Sequence, residues 1–179
     1  MLELDKKKVA DQFSKLESKK EKLCISFSGG ETSGCMTTKL LELYGDVYNI
    51  LITFANTGEE NEETLIFVNE CEKYWNKRFG ASVVWLEAIT HMEHGKGQTH
   101  KIVNFKTASR HGEPFEQFIS KEGIPSMVYP QCSERLKTNA MNHYRKTIGF
   151  RKTSLFSIPN QTPPRGRHRV VGCWLCIAW

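Results

Sequence analysis

Three short apolar runs, residues 23–27 (LCISF), 49–54 (NILITF) and 81–88 (ASVVWLEA), are separated by two stretches of helical periodicity. Met36, Leu40, Leu41 and Leu43 recur at helical spacing across residues 33–44. Leu65, Phe67, Val68, Cys71 and Trp75 do the same across 62–77, with acidic Glu62 and Glu63 in the first turn. Short apolar runs bounded by turn residues read as buried strands, and the intervening periodic stretches as helices that cover them. Strands and helices that alternate with short connections predict a parallel sheet with right-handed crossovers. The 179 residues suffice for one α/β domain with helices on both faces of a central, mostly parallel sheet.

The first strand runs directly into Ser28-Gly29-Gly30-Glu31-Thr32-Ser33, where the first helix starts. A strand, a loop of small residues and a helix N-terminus together make an anion site. Glycine lets backbone approach the ligand, and the first turn offers unpaired N–H groups at the positive end of the helix dipole. The second strand ends in Ala55-Asn56-Thr57-Gly58. Ligands of open parallel sheets sit beyond the carboxyl ends of the strands, so these two loops are expected to line one crevice.

Downstream the signals are shorter. Lys101–Phe105 reads as a strand, 112–125 as a helix closed by Gly123 and Pro125, and 131–149 as a helix with Leu136, Ala140, Met141 and Tyr144 inward. His91, His94 and His100 lie in a polar stretch without Cys or carboxylate at ligand spacing, and no metal site is assigned to them. The charged N-terminus, residues 1–22, reads as a solvated helix with an apolar stripe of Val9, Phe13 and Leu16. No run is long enough to span a bilayer and no secretory signal precedes the domain, so no membrane partner is expected. Six cysteines in that context suggest free thiols and a cytoplasmic setting. The formal charge is +5, and from Arg135 to Trp179 there are nine Lys and Arg but no Asp or Glu. Such a basic third suits a phosphorylated ligand or nucleic acid.

Four ordered segments carry a resemblance. SFSGGETS is similar to the SGGxDS signature of the PP-loop (adenine nucleotide alpha-hydrolase) superfamily. FANTGEENEETLIFV, FKTASRHGEPFEQFISKEGIP and CSERLKTNAMNHY resemble segments of its phosphoadenosine phosphosulfate (PAPS) reductase-like family, especially the small phage-encoded members. The likeness spans roughly residues 22–150. It implies a Rossmann-like domain over 23–150, preceded by the charged helix and followed by an atypical basic tail, 151–179. By the same resemblance Ser28, Gly29, Gly30, Thr32 and Ser33 would cradle phosphate, with Arg110, Arg135 and Lys137 supplying cations. Ser26, Phe27, Asn56, Thr57 and Gly58 would line the nucleotide. Cys132 falls on a family motif and is the candidate catalytic thiol, at the start of a helix among basic residues that favour a thiolate.

The implied cofactor is an adenine nucleotide. In the family's reductases a cysteine thiolate attacks the sulfur of the sulfonucleotide, giving a thiosulfonate that a thioredoxin-type reductant releases. Its ATP-using members adenylate a substrate and release pyrophosphate with Mg2+. The chain departs from both. Thr32 stands where the signature has aspartate, and the reductases' late ECGLH segment is absent. The late pair Cys173 and Cys176, with Cys132, is one short of the four ligands of an iron–sulfur cluster, so none is expected. The loss of resemblance after Phe150 leads us to expect an altered, loosely packed end. The alternative function is a non-enzymatic phage accessory protein that binds nucleotide or nucleic acid through the basic third. The sequence assigns no oligomeric state.

Overall fold

The structure is a computed structural model that describes residues 22–93, 95–126 and 131–150. The N-terminal helix expected over 1–22 and the tail over 151–179 therefore lie outside the described residues, apart from Lys22. Four strands form one open sheet in the order β1 (Lys22–Phe27), β2 (Asn49–Asn56), β3 (Val83–Ile89), β4 (Thr99–Val103). β1 pairs parallel with β2, with Phe27 opposite Phe54, and β2 pairs parallel with β3, with Asn56 opposite Glu87. β3 and β4 are antiparallel, Leu86 opposite Ile102. The helices are α1 (Glu31–Tyr44), α2 (Glu62–Phe79), α3 (Glu113–Glu122) and α4 (Asn139–Thr147), the last preceded by a π-helical segment, Ser133–Thr138.

Side-chain alternation along the strands divides the core. Phe27, Ile52, Phe54 and Trp85 project to one face and meet Leu41 of α1 and Leu65, Val68 and Trp75 of α2. Aromatic edges dominate this layer: Trp75 meets Phe27 with ring centroids 5.1 Å apart, and Trp85 meets Phe54 at 5.0 Å. Leu23 and Ile25 pack on Leu40 of α1. On the opposite face Ala88 is covered by Phe118 of α3, Leu136 of the π segment and Ala140 of α4. The result is an α/β arrangement with a mostly parallel open sheet between helices, compatible with a Rossmann-like fold.

Two expectations are corrected. The fourth strand begins two residues earlier than its apolar signal and runs antiparallel. It ends because the Asn104 carboxamide accepts the N–H groups of Lys106 and Thr107 and folds the chain into a turn. The helix expected over 131–149 is not uniform, since residues 133–138 take π geometry before α4 resumes. The expected stop at Gly123 holds, its N–H closing α3 on Ile119 O. Gly80, at φ 65°, closes α2 in the same way through its N–H to Asn76 O.

Trp75 is 1% exposed and its indole N–H donates to Thr38 Oγ1 at 2.9 Å, so it locks α2 to α1 as well as to the sheet. Trp75→Ala should cost about 3–5 kcal/mol of stability, read as a lower urea midpoint at unchanged slope.

Candidate functional site

β1 delivers the chain to Ser28, and Gly29 then turns at φ 81°. A Cβ on Gly29 would lie 2.8 Å from Thr64 Cγ2 and 3.1 Å from the Phe54 ring, so this glycine is demanded by the close approach of the loop to α2. Gly30 is different. Its backbone is extended, at φ −91° and ψ 155°, and the nearest atom to an added Cβ is Ser28 Oγ at 3.7 Å. The fold tolerates a side chain there, and the space in front of Gly30 is open.

Gly30 caps α1 without a side-chain acceptor. The N–H groups of Glu31, Thr32 and Ser33 have no acceptor further up the helix, as at any helix start. Ser33 Oγ donates to Gly30 O at 2.8 Å and shares a hydrogen bond with Ser28 Oγ at 2.9 Å, which fixes the loop. Ser28, Gly30 and Thr32 are exposed, whereas Gly29 and Ser33 are buried. The rim of the loop is therefore accessible while its base is anchored.

The second loop is tied to the first through α2 and to α3 through Gly58. Gly58, at φ 85°, sits where a Cβ would lie 2.7 Å from Pro114 Cδ, and its carbonyl accepts the Gly112 N–H at 3.0 Å. Lys137 crosses from the π segment to Glu60, Nζ to Oε1 at 3.0 Å, and Thr57 Oγ1 donates to the same oxygen at 3.2 Å. Lys137 and Thr57 thus share one carboxylate at the edge of this loop.

Several residues assigned to the ligand have other work. Asn56 is fully buried. Its Nδ2 donates to Glu87 Oε1 at 2.8 Å and to Ser109 O at 2.9 Å, while Oδ1 accepts the Gly58 N–H at 3.2 Å. Both its amide donors and one acceptor position go to shaping loops. Phe27 is 2% exposed among Phe54, Phe67 and Trp75, so only its main chain faces the loop end; Ser26 beside it is half-buried and paired with Thr53. Arg110 forms a forked pair with Glu62, Nε to Oε2 at 2.7 Å, and donates to the carbonyls of Ala108 and Phe105. That guanidinium holds the Glu62 carboxyl below the usual carboxylate range. Arg110 clamps the 104–111 loop to the start of α2.

Arg135 and Lys137 part company. Two residues apart on a helical segment, they point to different sides: Lys137 to Glu60, Arg135 toward Glu122 of α3, Nη2 to Oε2 at 3.6 Å. Arg135 Nε is buried and has no hydrogen-bond partner among the described residues. Cys132, half-buried at the helix start, packs beside the Ala88, Phe118, Leu136 and Ala140 cluster. The histidines also diverge. His91 bonds Thr99 Oγ1 at 2.8 Å, His100 bonds His143 Nδ1 to Nδ1 at 2.7 Å, and His94 lies outside the described residues.

Sequence reasoning missed Glu87. This carboxylate is 2% exposed at the end of β3 and accepts from Ser109 N at 2.6 Å, Asn56 Nδ2 at 2.8 Å and Ser109 Oγ at 3.1 Å. The available signal was a single Glu in the otherwise apolar run VVWLEAI, a residue too costly to bury unless several donors await it. No family model, curated protein or solved structure matches the chain.

Glu87→Ala orphans the Ser109 N–H and the Asn56 amide, about 1–3 kcal/mol each, so the variant should melt well below the parent in a thermal scan. Burial first, and then the charge of His143, pushes the His100 imidazole below its usual pKa. A base depressed in the fold contributes stability that is present above its unfolded pKa of about 6.5 and lost as pH falls below it. The urea midpoint should therefore drop between about pH 7 and 5, and less so in His100→Asn.

Proposed function

We propose that this chain is a PP-loop protein of PAPS reductase-like type that binds an adenine nucleotide with its phosphates against residues 28–33. The observation that carries the reading is Gly30. Neither its φ nor its surroundings require glycine, and it stands before a capless helix N-terminus with accessible hydroxyls at Ser28 and Thr32. A glycine that the fold does not need is explained by a ligand whose anionic group meets the backbone there. The adenosine lies toward Thr57 and Gly58, in a loop whose shape is set by Asn56 and Glu87.

The substrate class is a sulfonucleotide, PAPS or its 3′-dephosphorylated form, or ATP. In the first case the thiolate of Cys132 attacks sulfur, the S–O bond to the nucleotide phosphate breaks, and the nucleotide leaves. A thioredoxin-type dithiol then reduces the thiosulfonate to free thiol and sulfite, itself becoming the disulfide. In the second, an acceptor attacks the alpha-phosphate and pyrophosphate leaves, with Mg2+ accompanying the nucleotide.

The test combines binding and products. Gly30→Val should fold as the parent, by unchanged melting temperature, yet bind ATP or PAPS more than about tenfold more weakly in calorimetry. Sulfite release from PAPS with a dithiol identifies the reductase chemistry, and pyrophosphate release from ATP the adenylating one. Equal affinity in a folded Gly30→Val would refute the phosphate cradle.

A further inference from the structure

The divergence of Arg135 from Lys137 leaves a second basic feature. A cleft of about 690 Å³ runs along the π segment and α4, with Gly97 and Gln98 on one side and Gly149 and Phe150 at its end. Its floor is one helix stripe, Arg135, Asn139, Asn142 and Lys146, flanked by His143 and Arg145. Asn139, Asn142 and Lys146, three and seven residues apart on α4, share one helix face over about 10 Å, and Arg135 of the π segment extends it. Among the described residues no carboxylate lines it. The acid that approaches is Glu122, 3.6 Å from Arg135 Nη2, and it leaves Arg135 Nε buried and unpartnered among the described residues. Amide groups lie between the cations: Asn139 Nδ2 donates to Gln98 Oε1 at 3.2 Å, and Arg145 donates to Asn142 Oδ1.

This pattern of cations and interleaved amides, drawn out in a line with Glu122 at one end only, suits a chain of phosphates more than one compact anion. The sequence continues the same bias, since Arg151 and Lys152 follow Phe150 directly and no Asp or Glu occurs after Glu134. Lys137 and Glu60 face the second loop instead, so the cleft and the glycine loop draw on different side chains.

We propose that the Arg135–Lys146 cleft binds the sugar–phosphate backbone of a nucleic acid, at a site separate from the glycine loop. Each backbone phosphate replaces condensed counterions with a protein cation, so binding is steeply salt-dependent and largely indifferent to base sequence. The inference stands whether or not the glycine loop holds an adenine nucleotide.

Fluorescence anisotropy of the full chain with labelled single strands of about 20 nucleotides, one DNA and one RNA, tests it. Three engaged cations predict a slope of log affinity against log salt near −2, from about −0.7 per phosphate. The double variant Arg135→Gln, Lys146→Gln should bind at least about tenfold more weakly, while Lys137→Gln binds as the parent. Unchanged melting temperatures keep the comparison between folded proteins, and single Lys146→Gln, at an exposed position, gives a weaker form of the same loss. Absence of oligonucleotide binding at low salt would overturn the proposal. So would full binding in the double variant, which would assign affinity to residues beyond Phe150. Displacement by tripolyphosphate at matched phosphate concentration would make it a small-anion site, and displacement by equimolar ATP would merge it with the glycine loop; either contradicts the proposal.

Discussion

The buried carboxylate of Glu87 organises the carboxyl end of the sheet. A charge taken out of water is tolerated only when donors surround it, and here Asn56 and Ser109 provide them at 2.6–3.1 Å. Lys101 Nζ, on the neighbouring edge strand, stands 3.9 Å from the same group. Through Asn56 the carboxylate fixes the Gly58 turn, and through Ser109 it fixes the loop whose next residue, Arg110, grips Glu62. Two loops and the start of α2 therefore take their shape from one side chain. The glycine loop is joined to that assembly because Gly29 lies against Thr64 and Val68 of α2.

The elements that the sequence announced best are those whose signal is local. β1, β2, α1 and α2 follow from apolar period and caps, and each was found within two residues of its expected bounds. The direction of β4 was not legible, because it depends on which strand the segment meets after a mostly polar connection of nine residues, 90–98. The π geometry of 133–138 leaves no mark in a period that still places Leu136 and Ala140 inward. At the site, glycines and hydroxyls were readable as a strand-to-helix loop. The work of Asn56 was not, since its partners Glu87 and Ser109 lie 31 and 53 residues away. A motif identifies residues that matter and leaves open whether they touch a ligand or hold the loop that does.

The same distinction separates the cations. Arg110, Arg135 and Lys137 read alike as phosphate partners, yet Arg110 is a clamp, Lys137 pairs with Glu60, and Arg135 lines a different cleft. Charge in sequence says how many cations are present. Only helix geometry says which of them converge.

Hydrogen–deuterium exchange on the backbone of 24–34, with and without ATP or PAPS, reads the amides proposed to hold the phosphates. Either nucleotide should slow exchange at residues 29–33, and adenosine alone should leave them unchanged. Exchange in this loop indifferent to both nucleotides, at concentrations where they bind the protein, would contradict the account.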